Sequence, residues 1–421
     1  MIRRLIRHPV VQNSLLLYAV QFSTYLLPLA TIPYLSRVLS QEKYGLILFA
    51  QNFIWYFLTL TEYGFNLTAT RRIAIHSDDP EKVSRIFSAV MVAKFLLLLL
   101  SFAIMAAVVF SVPKLRPNWN LFLITFAAVA GNCVFPLWLF QGLQKMKHVA
   151  ARDFIAKTIA FGLLFLVVRS DRDYLWAAGL QSGGQLLAGI AGLIAVPFVA
   201  PVRLRMPAAS EVWESLRTGF PVFLSMAAMS LTSSTNTFIM GLRASMSEVA
   251  YFGNAQRIIV ALRMLVTPLV TSIYPYISQK AARSEEEAVR FLRKYSLLLS
   301  LPFLLISLGL LAAAPLVVVF LGKGYAPAVP LLRIMAFSPF MLALSHCFST
   351  YYMLAFGYEK QWARILFVAV VVNFALLIPL LAFLRPSVAL AVVWIALDIF
   401  QTSAYFIFYR RHSQDQLAGA S

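Results

Sequence analysis

Long apolar runs separated by short charged connections recur along the whole chain. A helix that crosses a bilayer needs about 20 mostly apolar residues, and the runs reach that length again and again. Twelve spans are predicted, at 13–35, 44–66, 87–112, 120–142, 154–168, 175–199, 219–242, 249–277, 295–320, 329–356, 363–384 and 388–409. The run at 154–168 is the shortest and carries Lys157. The pattern predicts an all-α, polytopic membrane protein.

The two halves of the pattern match. Arg37-Val-Leu-Ser-Gln-Glu42 leads into Tyr44-Gly45, and Arg243-Ala-Ser-Met-Ser-Glu248 leads into Tyr251-Phe252-Gly253, so the two arginines are 206 residues apart. Ser77-Asp78-Asp79 with Arg85 matches Ser284-Glu285-Glu286 with Arg290 at offsets of 207 and 205. A shared offset argues for two repeats of six helices. An even number of helices gives both repeats the same orientation, related by a pseudo-two-fold along the membrane normal. The division expected is an N-terminal lobe over 1–200, a cytoplasmic linker over 201–218 and a C-terminal lobe over 219–421 that ends in a short cytoplasmic tail. Within the linker, Ser210 reads as the N-cap of a short amphipathic helix with Trp213 and Leu216 on one face.

Composition agrees with this reading. Apolar types make up 60% of the 421 residues and charged types only 13%, about half the usual charged share of a soluble domain. Lys and Arg number 36 against 17 Asp and Glu. With the N-terminus inside, the segments assigned to the cytoplasm hold 22 of these bases, the opposite loops nine and the spans five. That asymmetry is the positive-inside pattern, and it places both termini in the cytoplasm. No aromatic–basic patch points to nucleic acid. Met1 to His8 is basic with no small-residue cleavage site after it, which reads as an uncleaved start. Cys133 and Cys347 lie in apolar runs far apart, so neither a disulfide framework nor a thiolate metal site is expected.

Enzyme chemistry has no foothold in the sequence. The cluster Leu321-Gly-Lys-Gly-Tyr325 lacks the spacing and hydroxyl of a nucleotide-binding loop, and there is no HExxH, no GxSxG and no loop long enough for a catalytic domain. No cofactor, metal or catalytic residue is expected. A transporter instead reveals its substrate through the polar groups that it buries, because they are costly in hydrocarbon. Five bases fall within spans, Lys94, Lys157, Arg257, Arg263 and Arg333, against two acids, Glu62 and Asp398. Arg257 and Arg263 lie deepest, about 12 and 21 Å along their helix and about 120° apart around it. One reading is a cationic lumen for a phosphate-bearing substrate, since Arg forks onto phosphate oxygens. The other is pairing with Glu62, Asp398 or backbone carbonyls, which two acids cannot do for five bases. The same two acids are the groups at depth able to bind and release a coupling proton.

Several stretches resemble a known family. Ile32-Pro-Tyr-Leu-Ser-Arg-Val-Leu39 with Tyr44-Gly45, then Glu62-Tyr-Gly-Phe65 and Ala69-Thr-Arg-Arg72, are similar to the opening of bacterial polysaccharide transporters. These are the Wzx-type O-antigen and exopolysaccharide flippases of the multidrug/oligosaccharidyl-lipid/polysaccharide exporter superfamily. Pro136-Leu-Trp-Leu-Phe-Gln-Gly142 and Phe320-Leu-Gly-Lys-Gly-Tyr325 with Arg333 support the resemblance. It implies twelve helices in two lobes around a cationic cavity, and translocation of undecaprenyl-diphosphate-linked oligosaccharide to the outer leaflet of the inner membrane. Carried onto this chain, the cationic role falls on Arg257, Arg263 and Arg333, with Lys94 in support. Arg37 and Arg243 fall at the outer mouth of each lobe. Ion antiport, membrane lipids, and a polymerase with chain-length machinery as partners are further implications. A drug/cation antiporter of the same superfamily would need an acidic lumen, and an oligosaccharide polymerase or ligase a large outward loop.

Overall fold

The computed structural model describes residues 30–200 and 202–418. Helices carry almost all of them, and there is no strand among the described residues. A helix over 30–38 (α1) is followed by α2 (Gln41–Glu62), α3 (Phe65–Ile75), α4 (Pro80–Ser111), α5 (Trp119–Val134), α6 (Leu137–Gly142), α7 (Met146–Val167), α8 (Tyr174–Val199) and α9 (Ala209–Arg243). Then come α10 (Met246–Met264), α11 (Thr267–Arg283), α12 (Glu285–Ala313), α13 (Val317–Leu321), α14 (Ala328–Met335), α15 (Ser338–Phe348), α16 (Glu359–Phe383) and α17 (Pro386–Ala418). A π-helical segment, Ser349–Leu354, extends α15.

Nine helical segments among the described residues are long and apolar enough to cross a membrane. They match the predicted spans from 44–66 onward, apart from two. The span at 154–168 falls in α7, whose apolar stretch Thr158–Val167 is short. The span at 219–242 falls in α9. The predicted span at 13–35 lies mostly outside the described residues.

Several expected spans contain breaks, each with a local cause. Proline lacks an N–H and sits comfortably only in the first turn of a helix. Pro136 separates α5 from α6, Pro268 opens α11 and Pro339 opens α15. Between α2 and α3 the chain turns through Tyr63 and Gly64, both with positive φ, 48° and 77°. Gly64 is also a close approach, because a Cβ there would lie 2.6 Å from Val222 Cγ1 on α9.

Helices α5 and α8 cross where small residues meet. A Cβ on Gly131 would fall 2.5 Å from Gln185 O, and one on Gly189 2.2 Å from Gly131 O. Small residues let backbones approach in a membrane, where dispersion between surfaces does the work that water does elsewhere.

The repeat is visible as local chemistry. Ser40 caps α2 through the Lys43 N–H and Ser245 caps α10 through the Glu248 N–H, each at 3.3 Å. Asp79 caps α4 and Ser284 caps α12 in the same way. One turn further on, Glu81 pairs with Arg85 and Glu286 with Arg290. Each of these correspondences has an offset of 205 (245 − 40, 284 − 79, 286 − 81, 290 − 85).

The chain divides into two compact units, one ending at Leu242 and the next beginning at Arg243. This differs from the division expected at 201–218, because α9 packs along α2 and α3. Tyr56 donates to Thr235 at 2.8 Å, Thr59 and Ser230 share a hydrogen bond at 3.0 Å, and Tyr63 stacks on Phe223 at 4.7 Å. Arg72 pairs with Glu214 at 3.1 Å. The amphipathic linker helix is likewise not separate; it forms the first turns of the 35-residue α9. Val212 and Ser215 are buried and Leu216 packs against the core beside them, while Trp213, about 60° away from Leu216 around the helix, is 67% exposed. Nor is Ser210 a cap, since it lies within the helix and the Ala208 N–H donates to Glu211 instead.

Candidate functional site

The densest polar cluster at depth lies in the second unit, where α10, α15 and α17 meet. Asp398 sits on α17 one turn after Trp394 and one turn before Thr402, so the three share a face. Arg263, near the end of α10, donates from Nη1 to Asp398 Oδ2 at 2.8 Å, to Asp398 Oδ1 at 3.0 Å and to Ser338 Oγ at 2.7 Å. Ser338, the fully buried first residue of α15, donates in turn to Asp398 Oδ2. It also accepts from Trp394 Nε1 at 2.9 Å. The Arg263 guanidinium lies over the Trp394 ring, 5.4 Å from its centroid. Thr402 donates to the backbone oxygens of Met341 and Asp398, tying α17 to α15. His346 is within electrostatic reach of Arg263 and hydrogen-bonds Thr350 at 2.9 Å.

Of the two readings of Arg263, pairing with Asp398 is the one seen. The pair is nevertheless lopsided: the arginine side chain is 22% exposed and the aspartate 12%. The cation is the more accessible of the two partners.

Lys94 behaves differently from the expectation of a lumen cation. It is 2% exposed, and its Nζ donates to Asn132 O at 3.0 Å. That carbonyl would ordinarily accept from the N–H four residues on, but position 136 is proline and has none. Lys94 thus satisfies an acceptor that Pro136 leaves empty, a structural duty. Glu62 lies within electrostatic reach of it, at the end of α2, and accepts from Asn66 across the Tyr63–Gly64 turn. Lys94→Met is expected to destabilise the fold by about 1–3 kcal/mol, the cost of a buried carbonyl without a donor. Thermal unfolding in detergent checks this, and transport per folded molecule should stay near wild type.

The remaining candidates are not gathered into one place. Arg257 is half-buried and engaged by neighbours, and Arg333 is exposed on α14. Arg37 and Arg243 are exposed, and each stands just before a capping serine of the repeat. Those two corners carry comparable ties. The Ser40 N–H donates to Asp171 Oδ1 at 2.6 Å, and the Ser387 N–H to Glu248 Oε2 at 3.4 Å. The Lys157 side chain lies outside the described residues. No group of three or more His, Cys, Asp and Glu able to hold a metal occurs among the described residues.

A family model described as polysaccharide biosynthesis protein matches residues 10–281. The chain belongs to the polysaccharide biosynthesis protein family. A relative in Escherichia coli (strain K12), named "Putative O-antigen transporter", is 33% identical over 405 residues, 95% of this chain and 97% of the relative. A Shigella dysenteriae protein of the same name is 28% identical and covers 88% of this chain and 92% of its own length. Among solved structures, the lipid II flippase MurJ in an inward closed conformation superposes with a TM-score of 0.68 at 14% identity, covering 96% of this chain and 91% of that one. An inward-facing multidrug resistance MATE family transporter of the MOP superfamily gives 0.66 at 14%, covering 94% and 100%. At such identities the two structures speak for the fold alone, which is all-α and multi-pass.

Sequence reading missed Ser338 and Trp394. A signal for Trp394 was present, because Trp394, Asp398 and Thr402 recur at a spacing of four within an apolar span. Ser338 carried no signal, since a serine beside a proline reads as a helix start and nothing more.

Proposed function

We propose that the protein is a flippase that moves an undecaprenyl-diphosphate-linked oligosaccharide, an O-antigen or exopolysaccharide repeat unit, from the cytoplasmic to the outer leaflet of a bacterial inner membrane. The observation that carries this reading is the near full-length match to relatives named as O-antigen transporters. The partly exposed Arg263 adds a chemical reason, because a guanidinium suits the oxygens of a diphosphate. Arg257 and Arg333 supply further positive charge to the path, while Arg37 and Arg243 flank its outer mouth. The two six-helix repeats, with both termini cytoplasmic, work by alternating access. Glu62 and Asp398 are the acids on which an ion gradient acts. A polymerase and chain-length machinery receive the product.

A leaflet assay in proteoliposomes tests the reading directly. Purified protein should make a polyprenyl-diphosphate oligosaccharide, initially protected inside, accessible to an enzyme added outside, faster with a pH gradient than without one. Protein that is folded and reconstituted yet moves no lipid-linked saccharide, while exporting organic cations, would replace the flippase with a drug/cation antiporter.

A further inference from the structure

The lopsided burial of Arg263 and Asp398 has a functional reading of its own. An arginine that must bind a diphosphate and then let it go faces a problem of affinity. A bare guanidinium in a low-dielectric path holds a multiply charged anion tightly, whereas transport requires binding weak enough to leave. We propose that Asp398 is a built-in surrogate anion that competes with the substrate's phosphate oxygens for Arg263, and that Ser338 and Trp394 are the positioning residues that hold the surrogate pair together. The inference rests on the flippase reading for the identity of the anion, and it gives Asp398 a duty other than titration.

Three features of the geometry carry it. All of the guanidinium's contacts to Asp398 and Ser338 come from one nitrogen, Nη1. A side-on pair would commit two nitrogens to the two carboxylate oxygens, the geometry of a permanent Arg–carboxylate fork. Here the pair is end-on, and the arginine is the more exposed partner, so an incoming anion meets the cation first. Ser338 is the second feature. Its hydroxyl is fully buried and accepts from Arg263 and Trp394 while donating to Asp398. With those contacts it fixes where the carboxylate sits when Arg263 swings away. The third is Trp394, whose ring lies beside the guanidinium. A flat aromatic face supports the cation in either position without adding a competing charge.

The sign of the effect separates this from a purely structural ion pair. Asp398→Asn removes the surrogate's charge, and Ser338→Ala loosens the surrogate without changing any charge. Asp398→Asn is expected to make inorganic pyrophosphate bind about tenfold more tightly to the purified full-length protein, measured by calorimetry in detergent, the scale of one screened charge close to the ligand, and Ser338→Ala, which keeps the charge, should tighten it by a smaller factor of about three. Arg263→Ala should remove that part of the binding. In proteoliposomes, Asp398→Asn should lower turnover at saturating lipid-linked saccharide although its affinity has risen. Thermal unfolding of each variant confirms that it is folded, and Ser338→Ala, which leaves both charges in place, keeps the test open if Asp398→Asn does not fold.

Pyrophosphate binding that is unchanged or weaker in a folded Ser338→Ala protein would overturn the inference, as would wild-type binding that Arg263→Ala does not weaken. The fate of the flippase reading is separate. Tightened, Arg263-dependent pyrophosphate binding in a protein that moves no lipid-linked saccharide would remove the flippase and keep the exchange at Arg263.

Discussion

Arg263→Ala is expected to lower transport of the lipid-linked saccharide by about a hundredfold, the size of a lost charge-assisted contact to a phosphate group. It should also destabilise the protein by about 3 kcal/mol, because Asp398, with its side chain 12% exposed, is left without its cation. The two effects come apart in the double variant. Removing Asp398 as well, as Arg263→Ala with Asp398→Ala, deletes the stranded charge and should restore most of the thermal stability. Transport should stay lost, since no guanidinium remains to meet the substrate. Unfolding temperatures and leaflet-assay rates for the two single variants and the double one check both halves. A double variant that recovers transport would show that Arg263 serves only to neutralise Asp398.

Gly189→Ala should cause a large loss of stability for a single added methyl group. The new Cβ would lie 2.2 Å from Gly131 O, a backbone atom that no rotamer change can move aside. Relief requires α5 and α8 to separate along their crossing, at about 3 kcal/mol or more. A control lies on the same helix. A Cβ on Gly183 meets nothing within 4 Å, so Gly183→Ala should be neutral or should stabilise by a few tenths to about 1 kcal/mol, through the higher helix propensity of alanine. Thermal unfolding of the two variants side by side is the measurement. Equal stabilities would mean that the helices do not cross at Gly131 and Gly189.

The architecture was largely legible in the residue pattern, and the reason is the solvent. Hydrocarbon cannot hydrogen-bond a backbone, so a run of about 20 apolar residues has few structures open to it besides a helix. The repeat was legible in the recurring Arg-to-Glu spacing, but its register was not: the sequence pairs Ser77 with Ser284, whereas the caps that answer the orphan N–H groups are Ser40 with Ser245 and Asp79 with Ser284. The breaks inside spans were only half legible. Pro136, Pro268 and Pro339 announce themselves, whereas the turn at Tyr63–Gly64 depends on Val222 and Gly219 of α9 lying against it.

The candidate site was legible in its residue types and not in its pairings. An excess of bases over acids at depth follows from counting, but counting cannot say which base an acid takes. Lys94 looked like a lumen group and is a prop for the carbonyl that Pro136 leaves without a donor. Arg263 could be read as a lumen cation or as the partner of an acid, and it rests on Asp398, 135 residues away in sequence.

The sequence alone determined that this chain is a membrane protein of helices in two related halves, with an excess of positive charge. Those features depend on apolar length and on contacts within a few residues, which the chain order itself supplies. The tertiary structure decided that α9 groups with the first unit, that Lys94 is buried, and that Arg263, Ser338, Trp394 and Asp398 form one cluster. Those depend on which helix faces meet, and packing complementarity between segments more than a hundred residues apart is written in no local pattern.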